Sequence, residues 1–257
     1  GRMLDGTTGE PKGDVFPILV DDSVDLEAPE VAYNPDADQF IVICRVASTI
    51  DVYGQLVANG DRVGTDFFIA KSSGPTFFDP AARARVASIA YKPTGQEWFV
   101  GLTPNESAAY MFLASDGEPV TDLIQNLGSG TNPATAWSTG SDVGIVAYED
   151  RRSRDTGGEN LSCFLTDEAG NPLHDEPILL RDQANAEESP RVAYNSDDDQ
   201  FLVIWDERLS WADDSGGART TDTFGQVVGT DGTLIGEPIP IEASTPYTLR
   251  QDIDYSP

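Results

Sequence analysis

The sequence predicts an all-β propeller, most simply five-bladed with four-stranded antiparallel blades, and three observations predict it. The chain repeats itself at roughly fifty-residue intervals. The second strand of each repeat is apolar without alternation, and a small residue precedes each repeat's anchor aromatic.

The clearest repeated pair is Pro29 to Ile43 (PEVAYNPDADQFIVI) against Pro190 to Ile204 (PRVAYNSDDDQFLVI), with weaker copies at Ser88 to Val100 and Thr135 to Val146. Tyr33, Tyr91, Trp137 and Tyr194 anchor the alignment, and Tyr255 begins a fifth copy. Seven residues beyond the first four anchors stand Phe40, Trp98, Gly144 and Phe201, each opening a hydrophobic run. That constant spacing makes the first two strands of each unit a hairpin of fixed length. The intervening NPDADQ, KPTGQE, STGSD and NSDDDQ supply turn conformations at little steric cost.

Third strands are expected at Tyr53 to Val57, Tyr110 to Leu113, Leu161 to Leu165 and Phe224 to Val228. Gly60, Asp116-Gly117, Gly170 and Asp231-Gly232 then turn the chain into fourth strands such as Asp66 to Ile69 and Pro238 to Ile241. Each unit is a four-stranded meander. Continuously apolar second strands such as FLVIW (201–205) need cover on both sheet faces, and Ala32, Ala90, Ala136 and Ala193 suit strands crowded around an axis. A ring of sheets meets both demands better than a sandwich or separate domains. The Ala-rich stretch 81–90 has helical propensity but aligns with first strands.

Gly1 to Ile18 is similar to Gly225 to Ile241, a third and fourth strand, and 251–257 is similar to a first strand. The expected organisation is one domain, 1–257. Its blades are 26–75, 76–127, 128–183 and 184–244, and 1–25 and 245–257 form a closing blade whose second strand is missing. The sequence is read as a processed or excised segment.

Composition narrows the function. The 257 residues carry 44 acidic and 16 basic side chains, a formal charge of -28 that repels nucleic acid and anionic membrane. The acidity suits a saline or calcium-rich exterior, or simply solubility. No apolar run reaches the roughly 18 residues that span a bilayer. Cys44 and Cys163 fall at different strand positions and are expected as buried free thiols. One histidine, His174, excludes a multi-histidine metal site, and no Walker or dinucleotide fingerprint appears.

The pattern VAYN, then FLVIW with Asp, Glu and Arg, then GQVV and a Gly turn resembles the extracellular β-propeller repeats of large bacterial surface and secreted proteins. The match is fullest at Val192 to Asn195, Phe201 to Arg208 and Gly225 to Gly232. It fails in the second repeat, which has Leu102, Thr103, Pro104 and Asn105 after its second strand. The resemblance implies an extracellular or cell-surface setting and no single activity.

Second-to-third strand loops are short in the first two repeats and lengthen in the third and fourth, so the face carrying them is the expected functional surface. Candidate ligand-binding residues there are Arg45, Glu149, Asp150, Arg151, Asp206, Glu207, Arg208 and Trp211. Charges of both signs with exposed rings (Trp211, Phe77, Phe78, Tyr247) suit carbohydrate. The plain alternatives are carboxylate–arginine pairs bracing the blade edges, and loop packing. Asp197 to Asp199 and Asp213-Asp214-Ser215-Gly216 invite calcium, against readings as turn and solvated loop.

The leading expectation is a non-enzymatic binding or adhesion module, carbohydrate or a surface protein being its partner. The alternative is a five-bladed glycoside hydrolase, with Glu149 or Glu207 as acid and Asp150 or Asp206 as base. A structural spacer is the third.

Overall fold

The computed structural model describes residues 1–20, 25–49, 51–70, 87–104, 107–122, 127–152, 159–182, 185–208, 220–246 and 252–256. No α-helix occurs among them, and every paired strand is antiparallel. A short hairpin, β1 (Met3–Leu4) and β2 (Pro11–Lys12), comes first. Blade 1 is β3 (Leu26–Asn34), β4 (Gln39–Val46), β5 (Val52–Ala58) and β6 (Asp61–Ala70). Blade 2 is β7 (Ala87–Lys92), β8 (Glu97–Leu102) and β9 (Ala109–Leu113). Blade 3 holds β10 (Gly130–Ser138), β11 (Val143–Asp150), β12 (Asn160–Thr166) and β13 (Ile178–Arg181). Blade 4 holds β14 (Ala186–Asn195), β15 (Gln200–Arg208), β16 (Thr220–Gly229) and β17 (Leu234–Pro246).

Each sheet keeps sequence order, as a meander must, and the expected third strands lie within β5, β9, β12 and β16. In blade 2 the described residues form three strands and a bridge between Leu113 and Pro119, like the Thr166–Pro172 bridge that precedes β13 in blade 3; residues 123–126, where its fourth strand is expected, lie outside the described residues. The expected first strand near Tyr255 is corrected, since 252–256 is not paired as a strand.

The hairpin turns show why the repeat spacing is rigid. Asp38, Gln96, Asp142 and Asp199 occupy the same place before the second strand, and all have positive φ between 50° and 56°. The carbonyl Oδ1 of Asn34 accepts from the Asp36 and Ala37 amides, and that of Asn195 from the Asp197 and Asp198 amides. These are Asx turns. Asp199 accepts from Ser138, Ser141 and Tyr194, so it ties hairpins together.

Apolar faces are buried between consecutive sheets. Ile41, Ile43 and Leu56 of blade 1 pack with Ile89, Trp98 and Val100 of blade 2. Phe99 and Phe112 of blade 2 meet Trp137 of blade 3 edge-on, at centroid distances of 5.3 and 5.8 Å. Ile145, Ala147 and Cys163 then pack with Phe201, Val203 and Trp205 of blade 4. All seven residues of β12 and all eight of β11 are buried, as strands covered on both faces require. Polar links cross the same seams. Tyr91 donates to Asp36 at 2.7 Å, the Gly140 amide donates to the Tyr194 hydroxyl at 3.0 Å, and Tyr255 is hydrogen-bonded to Asp197.

Both cysteines are free, Cys163 buried and Cys44 half-buried, and desolvation pushes the Cys44 thiol up to about 11. At Gly117, φ is +91° and an added Cβ would overlap the Phe67 ring of the preceding blade. Gly117→Ala is expected to cost about 2 kcal/mol from φ strain and overpacking. A thermal melt checks it, and an unchanged midpoint would contradict the packing described.

Candidate functional site

Charged residues gather where β11 and β15 end and β14 begins, the end of the sheets from which the longer loops leave. Successive strand residues point to opposite faces, so Glu149 and Asp150 cannot line one cup. Glu149 turns into the seam between blades 3 and 4. It accepts from Thr131 Oγ1 at 3.0 Å, Asn132 Nδ2 at 2.5 Å and the Ser189 amide of blade 4 at 2.9 Å. Burial, reinforced by nearby Glu159, raises its pKa despite those donors. For Asp150 burial acts the same way but loses to hydrogen bonds from the Arg152 side chain and amide and from Ser162, which hold its carboxyl below the usual range.

Arg151 pairs with Glu159 at 3.0 Å. Glu207 accepts from Arg181 at 2.9 Å and from Asn185 at 2.9 Å. Asp206 accepts from Thr223 at 3.1 Å, Arg208 pairs with Glu188, and Arg45 pairs with Glu27 at 2.7 Å in blade 1. Of the eight residues expected to form one surface, Glu149, Arg151 and Glu207 therefore share the blade 3–4 seam. Asp150, Asp206, Arg208 and Arg45 have partners elsewhere. Trp211, Phe77, Phe78, Tyr247 and the acidic loop 213–216 lie outside the described residues. No group of three or more metal-ligating side chains occurs among the described residues.

The seam also holds a residue the sequence reading passed over. Glu187 sits directly opposite Glu207 in the β14–β15 register and is fully buried. Among the described residues neither of its carboxyl oxygens has a hydrogen-bond partner, although its own amide donates to the Glu159 carbonyl at 3.0 Å. Desolvation, with repulsion from Glu207, pushes its pKa up to about 8, Arg181 offsetting only part. The sequence signal was the Glu187-Glu188 doublet just before the repeat's Pro-x-Val-Ala-Tyr-Asn, where the first repeat has Leu26-Glu27. Four carboxyls and two guanidiniums thus meet at one seam. Arg151 and Arg181 match Glu159 and Glu207, leaving Glu149 and Glu187 as the pair whose surroundings favour the neutral acid.

The fold is similar to that of several solved enzymes. One is the α-L-arabinofuranosidase of Fusarium graminearum in complex with an iminosugar inhibitor, at TM-score 0.55 and 13% identity over 84% of this chain and 66% of that one. The endo-1,4-β-xylanase of Bacteroides thetaiotaomicron gives a TM-score of 0.51 and 13% identity, over 85% of this chain and 78% of the enzyme. Hydrazine synthase of Kuenenia stuttgartiensis gives 0.59 and 16% identity, over 95% and 60%. The chain spans about two thirds or less of the arabinofuranosidase and hydrazine synthase chains. At such identities the likeness shows the fold, a β-propeller. No family model matches the sequence, and no curated protein matches it. The expectation of a non-enzymatic adhesion module is corrected by these neighbours, which are enzymes, and the glycoside hydrolase alternative is the reading they favour.

Proposed function

We propose that the chain is a five-bladed propeller glycoside hydrolase whose proton donor is Glu187 and whose ionised partner is Glu207. The carrying observation is the contrast within that facing pair: Glu187 is buried without a hydrogen bond to its carboxyl, and Glu207 is paired with Arg181. A buried carboxyl held neutral beside a second, cation-paired carboxyl is what acid-assisted glycoside cleavage uses. Side chains directly opposite on antiparallel strands have Cβ atoms about 5 Å apart. Such facing positions bring two carboxyls close enough for the mechanism that retains anomeric configuration, in which carboxyls roughly 5 Å apart act as acid and as nucleophile on the sugar. Glu187 would protonate the leaving oxygen while Glu207 bonds the anomeric carbon; water then releases the sugar, returning its proton to Glu187.

The five-blade count draws support from the first eighteen residues. The Phe16 amide donates to the Gly1 carbonyl at 2.9 Å. A Cβ on Gly1 would press on Ile18 and Phe16, as one on Gly54 would press on Phe67 and Ile69. Met3 and Phe16 stand nearest Gly60 of blade 1, much as Phe67 of blade 1 stands against Gly117 of blade 2. These contacts support reading the first hairpin as the outer part of a fifth sheet before blade 1, and the bond from Tyr255 to the blade 4 turn, like that from Tyr91 to the turn of blade 1, supports the inner part of the same sheet.

Arabinan, arabinoxylan and xylan digests test the activity. Wild-type protein is expected to release reducing sugar with retained anomeric configuration by proton NMR. Glu187→Gln and Glu207→Gln are each expected to lose at least about 100-fold. No release from any of the three by folded protein, or inverted product, would overturn the assignment.

A further inference from the structure

Glu207 is held by two side chains that reach it from one short stretch of chain. Arg181 Nε and Nη2 both donate to its Oε2, at 3.2 and 2.9 Å, and Asn185 Nδ2 donates to its Oε1 at 2.9 Å. Arg181 ends β13 of blade 3, Glu187 stands second in β14 of blade 4, and Asn185 lies on the crossing between them. The single passage 181–187 therefore carries both the proton donor and the groups that fix its partner.

The sister sheets lack this arrangement. Where blade 4 sets Glu187 opposite Glu207, blade 3 sets Gly130 opposite Asp150, and blade 1 sets Leu26 opposite Val46. Nine residues before the anchor aromatics the sequence has Val24, Ala82, Gly128 and Asn185, so only the fourth repeat puts a side-chain amide there. Asp150 is held instead by Arg152 and Ser162 of its own blade. A brace that every blade edge needs would recur, whereas Asn185 and the facing glutamates occur together in one repeat.

Lone pairs distinguish the two carboxyl oxygens. Each oxygen of a carboxylate offers about two acceptor sites. Arg181 occupies both on Oε2, and the one bond from Asn185 leaves a site on Oε1 free. An N–H donor also binds a charged oxygen more strongly than a neutral one. The Asn185 amide therefore favours the carboxylate over a state in which Oε1 is an ester oxygen.

Resting on the retaining mechanism assigned above, we propose that Asn185 is a positioning residue that selects Oε1 of Glu207 as the attacking atom and speeds its later release from the sugar. In the first step an Oε1 lone pair bonds the anomeric carbon while the bond to the leaving oxygen breaks and the Glu187 proton passes to that oxygen. In the second, a water oxygen bonds the anomeric carbon, the carbon–Oε1 bond breaks with its electron pair returning to Oε1, and the water's proton passes to Glu187. Asn185 meets the returning charge directly, so its loss should tell on the second step.

Nitrophenyl arabinofuranoside and xyloside, mixed rapidly with the intact chain, separate the two steps. Asn185→Ala is expected to release a burst of nitrophenol equal to the protein concentration and then to turn over at least about tenfold more slowly than wild type. KM should fall in parallel, leaving kcat/KM unchanged, which a merely structural loss would not do. Protein quenched after the burst should carry the mass of one sugar residue, and the double variant Asn185→Ala with Glu207→Gln should show neither burst nor added mass. Wild-type turnover by Asn185→Ala, or slower turnover without burst or bound sugar, would overturn the role of Asn185 and leave Glu187 and Glu207 in place. Failure of wild type to cleave either glycoside or any of the three polysaccharides, or sugar still bound by the double variant, would remove the assignment of Glu207 and this inference with it.

Discussion

Glu187→Gln is expected to stabilise the protein at alkaline pH and to flatten a pH dependence that the wild type shows. Burial and the facing Glu207 carry the folded-state pKa of Glu187 to about 8, against 4.5 for an ordinary glutamate. Below about 4.5 both folded and unfolded chains hold the proton, so the group leaves stability unaffected by pH. Between 4.5 and about 8 the unfolded chain releases a proton the folded one keeps, and stability falls as pH rises. Above about 8 the loss is complete, amounting to as much as about 4 kcal/mol. Glutamine keeps the shape and never ionises, so its advantage should grow from pH 5 to pH 9 in urea titrations. A constant difference across that range would mean that Glu187 is ionised in the folded protein throughout.

Arg181→Met is expected to be the most damaging single change at the seam. The guanidinium is bidentate toward Glu207, with distances of 3.2 and 2.9 Å to one oxygen, and lies 5.0 Å from the Phe224 ring centroid. Methionine preserves much of the apolar stem but leaves the buried Glu207 carboxylate without its cation and beside a second carboxyl. Removing one partner of a buried pair costs about 3 to 5 kcal/mol. The double variant Arg181→Met with Glu207→Gln removes the stranded charge and should recover most of that loss. If the double variant is no more stable than Arg181→Met alone, the damage comes from lost packing against Phe224.

The repeat was legible because its physics is local. Seven residues from anchor to second strand, with Asx turns at Asn34 and Asn195, fix a hairpin whatever surrounds it. Third strands were equally readable, since a Gly turn follows each. The site was less legible. Consecutive Glu149, Asp150 and Arg151 read as one charged cup, but strand alternation sends neighbours to opposite faces, and their partners come from residues distant in the chain, Ser189 and Glu159 among them. Glu187 gave only a doublet of acids as its signal. Its character is set by Glu207 twenty residues on and by a burial that no local window displays.

The tyrosine bonds that cross from one sheet to the turn of the sheet before it bear on how the protein comes apart. Pulling blade 2 from blade 1, or blade 4 from blade 3, uncovers the neighbour's aliphatic strand and also severs a hydroxyl bond holding that neighbour's hairpin. Heat or denaturant should therefore take neighbouring sheets apart together, in a concerted transition.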